Sequence, residues 1–166
     1  MHFKGWFFMA LEIGQPAPAF SLPITTDTTV SNTTYAGKWL VLYFYPKDNT
    51  PGCTTQAITF TEQKDAFAAE GAEILGVSKD SLKKHDNFTA KQNLKITLGS
   101  DETGTVCEDF GVWKEKKMYG KTFMGIERTT FLIDPEGIIR AIWPKVKVKD
   151  HIPAVLDTLK SFKAGA

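Results

Sequence analysis

Cysteine is scarce in this chain: 166 residues hold two, Cys53 and Cys107, and no CxxC pair. Two thiols are too few for a disulfide scaffold, and the missing CxxC counts strongly against a thiol–disulfide reductase. Histidine is nearly as sparse, at three. His2, His85 and His151 stand far apart in sequence and give no zinc-ligand spacing. Charge of one sign is lacking too: 20 Lys and Arg face 19 Asp and Glu, a net charge of +1. That balance gives no electrostatic reason to expect nucleic acid or an anionic membrane as the main partner, and the Lys114–Lys117 and Lys145–Lys149 clusters read as solvated surface. Long apolar runs are missing. The stretch Met1–Met9 is apolar but too short to span a bilayer, and it has no small-residue cleavage site. It reads as an extension (1–9) ahead of one domain (10–166), with no repeats, linkers or low-complexity tracts. What remains has 42% hydrophobic and 23% charged residues, the composition of a soluble globular domain. A reducing cytoplasm is the expected location, which makes the glycosylation-type triplets at Asn32 and Asn87 chance matches.

The chain is organised around Pro46–Ala57. This stretch follows the apolar run Trp39–Tyr45 and leads into a segment patterned as a helix. Cys53 therefore falls where a buried strand, a Pro51-Gly52 turn and a helix N-terminus meet. Backbone N–H groups in a first helical turn have no intrahelical partner, and the helix dipole adds partial positive charge. A thiol so placed is expected to ionise more readily than a free one, and no acidic residue lies between Asn49 and Thr61 to oppose it.

In chain order, Gly14–Pro23 is an extended, proline-rich lead-in with a short edge strand. Residues 25–34 are either a hairpin edge or a loop. A central strand (39–45) precedes a helix from about Cys53 to Glu70, with Ala57, Phe60 and Phe67 on one face. A second buried strand (73–78) is followed by a helix from an Asp80 N-cap to about Asn93. Lys95–Leu98 reads as a short strand, Asp101–Phe110 as a short helix, and 114–127 as a charged, glycine-containing loop. Asp134-Pro-Glu-Gly137 is a type I turn that makes a hairpin of 129–133 and 138–143. A last helix starts near Asp150, with Ile152, Val155, Leu156, Leu159 and Phe162 on one face. The order βαβαβαββα predicts an α/β domain: a central mixed sheet with helices on both faces.

Pro46-x-x-x-Thr50-x-x-Cys53 resembles the active-site signature of the peroxiredoxins, and Tyr45-Pro-Lys-Asp-Asn-Thr-Pro-Gly-Cys-Thr54 resembles their bacterioferritin-comigratory, or Q-type, subfamily. Gly125-Ile-Glu-Arg128-Thr-Thr-Phe-Leu-Ile-Asp134 is similar to that subfamily's arginine-bearing strand, and Ala17–Phe20 and Asp101–Trp113 also fit, so the likeness spans about residues 11–162. It implies a thioredoxin-like fold, a catalytic set of Pro46, Thr50, Cys53 and Arg128, and a substrate site of Thr50, Gly52, Cys53 and Arg128. Two positions depart from the pattern. Ile58 stands where the subfamily often has a resolving cysteine, and Gln56 stands where glutamate is common.

The implied chemistry is attack of the Cys53 thiolate on a hydroperoxide. A free thiol of pKa about 8.5 is roughly 3% ionised at pH 7, so ionisation alone gains only about thirtyfold. Most of the acceleration must come from aligning the peroxide and stabilising the departing oxygen. Arg128 offers fixed, charged N–H donors. The Thr50 hydroxyl can accept from the peroxide while donating elsewhere, and the Gly52 and Cys53 N–H groups sit where substrate oxygen approaches. Pro46 and Pro51 shape and shield the loop. Blander roles compete: Thr50 as a helix cap, Arg128 as a surface ion-pair residue, His85 as a packed and satisfied core histidine. Cys107 is the candidate resolving thiol, but it lies between core positions and reads in preference as a small buried hydrophobe. Resolution by it would require local unfolding of the Cys53 helix or of the Cys107 segment.

The expectation is thus a monomeric or weakly dimeric thiol peroxidase with no metal, haem or flavin. It would act on hydrogen peroxide and small organic hydroperoxides, with its sulfenic acid reduced by thioredoxin, glutaredoxin or a low-molecular-weight thiol such as glutathione. The alternative is a redox sensor or chaperone switched by Cys53 oxidation without turnover.

Overall fold

The computed structural model describes residues 11–165; the expected extension 1–9 lies outside them. The chain runs through β1 (Ser21–Pro23), β2 (Thr29–Ser31), a 3-10 turn (Asn32–Tyr35), β3 (Trp39–Phe44), α1 (Pro51–Ala69), β4 (Ala72–Ser78) and α2 (Leu82–Gln92). It continues through β5 (Thr97–Ser100), α3 (Val106–Asp109), β6 (Trp113–Met118), β7 (Lys121–Ile126), β8 (Thr129–Ile133), β9 (Ile139–Trp143) and α4 (His151–Ala164). Residues 25–34 resolve in favour of a hairpin, with Leu22 paired to Val30 and both buried.

Five strands form the central sheet in the order β5-β4-β3-β8-β9. β3 pairs parallel to β4 and antiparallel to β8, so the sheet is mixed as expected. Alternation along the central strand creates two cores. Val41, Tyr43 and Tyr45 join Cys53, Ala57, Phe60 and Phe67 of α1, Phe88 of α2 and Ile152, Val155 and Leu159 of α4. Leu40, Leu42 and Phe44 point the other way, into a cluster with Leu22, Val30, Val106, Cys107, Phe110 and Ile126. The three long helices thus pack on one face, while α3 and the β1–β2 hairpin cover the other. The turn at 134–137 forms as expected: the Gly137 N–H donates to Asp134 C=O, and the Asp134 carboxylate accepts from the N–H groups of Glu136 and Ile138.

Four local expectations change. Ser81, not Asp80, caps α2, its hydroxyl accepting from the Lys84 N–H; Asp80 is buried and already accepts from the Ser78 hydroxyl. The expected strand from Lys95 begins two residues later, at Thr97. The helix expected over 101–110 shrinks to one turn, because the Asp101 carboxylate reaches forward to accept from the N–H groups of Val106 and Cys107 and keeps 102–105 as a loop. Residues 114–127 are not a loop: β6 and β7 pair antiparallel across a Tyr119-Gly120 turn in which both residues have positive φ, as a two-residue hairpin requires.

Two buried side chains give stability predictions. His151, at the start of α4, shares a 2.8 Å hydrogen bond with the Thr130 hydroxyl, and burial, helped by the Arg128 charge, pushes its pKa down to about 4. Below its unfolded pKa of about 6.5 the unfolded chain takes up a proton that the folded protein refuses. The urea midpoint is therefore expected to fall as pH drops from 6.5 toward 4, and to fall less in His151→Gln. The Tyr43 hydroxyl is buried without a hydrogen-bond partner among the described residues. Tyr43→Phe removes that orphan and is expected to leave stability unchanged or raise it by about 1 kcal/mol in urea titration; a loss of that size would show that the hydroxyl has a partner in solution.

Candidate active site

The site is assembled at the C-terminal edge of β3. After Tyr45 the chain turns through Pro46–Thr50, helped by Asn49 in the left-handed region (φ 63°), and enters α1 at Pro51. Proline suits that first helical position because it has no N–H to leave unpaired. The first intrahelical bond runs from the Thr54 N–H to Thr50 C=O at 2.8 Å, so the N–H groups of Gly52 and Cys53 precede it. The Thr50 side chain does not cap them: its hydroxyl donates to Lys47 C=O at 2.8 Å, which fixes the rotor and leaves the oxygen's lone pairs to accept. The capping role weighed for Thr50 is thereby corrected.

Arg128 arrives from 75 residues away. It sits in the two-residue link between β7 and β8, held by Val146 N–H donating to its carbonyl (2.9 Å), while the Glu127 N–H donates to Val112 C=O (2.8 Å). Its Nη2 lies 3.4 Å from Cys53 Sγ, and its Nη1 donates to Gln56 Oε1 at 2.6 Å. One planar guanidinium thus touches the thiol and a buried amide one helical turn further on. Gly52 is part of this fit: a Cβ there would lie 3.1 Å from Nη2, tighter than ordinary contact. Gly52→Ala is expected to lower the rate of Cys53 oxidation by peroxide several-fold by displacing the guanidinium, and crystallography of the variant would show the shift. Cys53 itself is buried, and Pro46 is half-buried where β3 ends.

Thr50, Gly52, Cys53 and Arg128 are therefore brought together, with Pro46 at the start of the same loop. Sequence reading missed two neighbours. Gln56 was visible only as a departure from a pattern, yet it orients Arg128. Lys116 was placed in a solvated cluster, but it is half-buried on β6, where burial and the Arg128 charge lower its pKa against the opposing pull of Glu127 and Cys53. No alternation of apolar and polar residues in Trp113–Met118 signalled it. Lys114 and Lys117 are exposed as expected.

Cys107 is fully buried on α3, in the core cluster on the opposite face of the sheet from that containing Cys53. Burial, the Asp101 charge and an Asp101 hydrogen bond raise its pKa well above that of a free thiol, although Lys79 pulls the other way. Such a thiol stays protonated and weakly nucleophilic.

A mixed five-stranded sheet with a thiol at a helix start beneath an arginine defines a class: a thioredoxin-like fold with a cysteine where the central strand meets a helix. The AhpC/TSA family matches residues 13–142. Peroxiredoxin Bcp of Bacillus subtilis is 52% identical over 152 residues, covering 92% of this chain and 97% of that protein. The putative peroxiredoxin bcp of Coxiella burnetii is 50% identical over 151 residues, covering 91% of this chain and all of that protein. Among solved structures, the bacterioferritin comigratory protein of Xanthomonas campestris, described for its alkyl peroxide reduction activity, is 50% identical with a TM-score of 0.81, covering 86% of this chain and 91% of that one. A PrxQ mutant of Xylella fastidiosa is 42% identical with a TM-score of 0.87, covering 93% and 99%. The chain belongs to the AhpC/TSA family, as a thiol peroxidase of the bacterioferritin-comigratory, or Q-type, peroxiredoxins. Among the described residues no helix is long and apolar enough to cross a membrane.

Proposed function

We propose that Cys53 is the peroxidatic nucleophile of a one-cysteine cycle that reduces hydrogen peroxide and small organic hydroperoxides. The thiolate attacks the terminal oxygen of R–O–O–H, an S–O bond forms as the O–O bond breaks, and the departing alkoxide takes a proton to leave as alcohol or water. Arg128, 3.4 Å from Sγ, holds the thiolate and the peroxide in line. Thr50 accepts from the peroxide O–H, and the Gly52 and Cys53 N–H groups stabilise the oxygen that gains charge. Pro46 keeps water from the loop.

The observation that carries the one-cysteine reading is the sheet lying between the cores that hold Cys53 and Cys107. A disulfide needs Cα atoms within about 7 Å, and Ile58 offers no nearer thiol. The sulfenic acid then condenses with an outside thiol, releasing water and giving a mixed disulfide that a second thiol reduces. Thioredoxin, glutaredoxin or a low-molecular-weight thiol in a reducing cytoplasm fits that step, with the enzyme acting as a monomer or weak homodimer.

The test is intact mass of reduced protein after one equivalent of hydrogen peroxide, beside Cys53→Ser and Cys107→Ser. Gain of one oxygen in wild type and in Cys107→Ser, but not in Cys53→Ser, is the expected result. Loss of two hydrogens, abolished in both variants, would make Cys107 the resolving partner instead. Consumption of excess peroxide once thioredoxin or dithiothreitol is supplied separates an enzyme from a sensor that reacts once and stops.

A further inference from the structure

Beneath the loop that carries Thr50 lies a buried polar group that the chemistry above does not use. Asp48 turns its carboxylate inward, away from the site. One oxygen accepts from the Tyr45 hydroxyl at 2.5 Å, and the other faces His85 Nδ1 at 2.6 Å. The Asp48 N–H donates to Asp80 Oδ2 at 2.8 Å, which also accepts from the Ser78 hydroxyl at 2.7 Å. His85 Nε2 faces Gly99 C=O at 3.0 Å, and the Ser100 hydroxyl donates to Asp80 C=O at 2.6 Å. The loop is thus hooked to α2 and the end of β5 through one imidazole, and to the end of β4 through the Asp80 carboxylate.

The protons in this group can be counted. A carbonyl oxygen only accepts, so Nε2 must carry a hydrogen to meet Gly99. Nδ1 faces a carboxylate whose second oxygen is already taken by a hydroxyl donor, and a bare Nδ1 there would set lone pair against lone pair. A hydrogen on both nitrogens satisfies every contact. The surroundings agree: burial alone would lower the His85 pKa, but the Asp48 hydrogen bond and charge, the Gly99 carbonyl and the Asp80 charge outweigh it and raise the pKa. The donor atoms of Asp48, Asp80 and His85 lie within 4.8 Å of one another, a spacing that a cation also accepts. However, His85 turns neither nitrogen to the group as a free ligand.

We propose that His85 is a standing imidazolium that positions the peroxidatic loop, clasping Asp48 so that Thr50 and the first turn of α1 are held against Arg128. His85 touches no reacting atom and acts through Asp48. With its pKa raised on folding, the clasp is complete below about pH 6.5 and is lost as pH rises through the folded value. Deprotonation takes the proton that faces the neutral Gly99 carbonyl and spares the one that faces the Asp48 carboxylate, so the imidazole loses its charge and its tie to β5 and holds the loop less firmly.

The inference rests on Cys53 being the peroxidatic thiol, but its first test does not. In 15N-labelled wild-type protein at pH 6.5, where a free histidine is half ionised, both ring nitrogens of His85, assigned by their loss in His85→Gln, should still show mainly protonated shifts. One bare nitrogen overturns the proposal. The second test is the second-order rate of Cys53 oxidation by hydrogen peroxide. It should fall about tenfold or more in His85→Gln and in Asp48→Asn, and the wild-type rate should decline on the alkaline side where the two variants' rates do not. Phe162→Ala serves as the control. It removes the stack on Trp39 at the opposite end of β3 (5.8 Å) and should lower the melting temperature without touching the rate. If Asp48→Asn also melts lower yet oxidises at the wild-type rate while folded, the role is structural and the proposal fails. Should His85→Gln not fold, Asp48→Asn and the wild-type pH profile still decide. Absence of any Cys53 oxidation in wild type would sink the peroxidatic assignment instead, leaving the 15N result standing.

Discussion

Arg128→Met is expected to lower the second-order rate of Cys53 oxidation by peroxide about 100- to 1,000-fold while leaving the protein folded, the range seen when one preorganised donor is removed from a charged transition state. The loss has two parts. Nη2, 3.4 Å from Sγ, is a fixed cationic donor to the thiolate, and no other cationic side chain donates a hydrogen bond to that sulfur among the described residues. Nη1, bonded to Gln56 at 2.6 Å, makes that donor rigid, so the guanidinium need not reorganise as charge moves onto the departing oxygen. Arg128→Lys should restore no more than about tenfold of the loss, because one ammonium on a flexible stem cannot serve Gln56 and Sγ together. Competition kinetics against a reference peroxidase would measure both variants. A methionine variant within threefold of wild type would show that the guanidinium is a neighbour and not part of the chemistry.

Gly76→Ala is expected to cost about 2–3 kcal/mol of stability, at the upper end of overpacking in a filled core. Gly76 of β4 pairs with Tyr43 of β3, and a Cβ on it would fall 2.7 Å from Tyr43 Cζ and 2.8 Å from the hydroxyl oxygen. Tyr43 cannot retreat, since its ring stacks on Phe60 with centroids 4.6 Å apart and abuts Tyr45 at 5.6 Å. Urea titration should show the midpoint falling. A change below about 0.5 kcal/mol would mean that the sheet shifts to admit the methyl group. Because Cys53 belongs to the same cluster as Tyr43, the variant should also slow peroxide reduction, and Gly76→Ala combined with Tyr43→Leu should recover part of both losses.

What could be read from residues alone follows a physical divide. The Cys53 junction was legible because an apolar run, a Pro-Gly break and a helical pattern are contiguous, and the hairpin around Asp134–Gly137 was legible because its turn is built from its own side chains. β6 and β7 were not, since most of their side chains are exposed on both faces, so no alternation of apolar and polar residues marks them as strands. The shortened α3 follows from a carboxylate reaching five and six residues ahead, which propensity does not register. The nearness of Arg128 to Cys53 could be inferred only through a family likeness. The pairing of Asp48 with His85, 37 positions apart, left no mark in the sequence at all.

On the proposed one-cysteine cycle, the sheet between the two thiols also decides where control of the enzyme resides. A peroxidase able to close an internal disulfide resolves its sulfenic acid at a rate set by its own folding. With Cys107 sealed behind β3, an oxidised Cys53 on the proposed cycle stands at a fork: one branch is taken by a thiol arriving from solution, the other by a second peroxide that carries it to the sulfinic acid. The probability of inactivation per turnover then depends on the ratio of two outside concentrations. Peroxide tolerance becomes a property of the surrounding thiol pool, and the same molecule is durable in a well-reduced compartment and self-limiting in a depleted one.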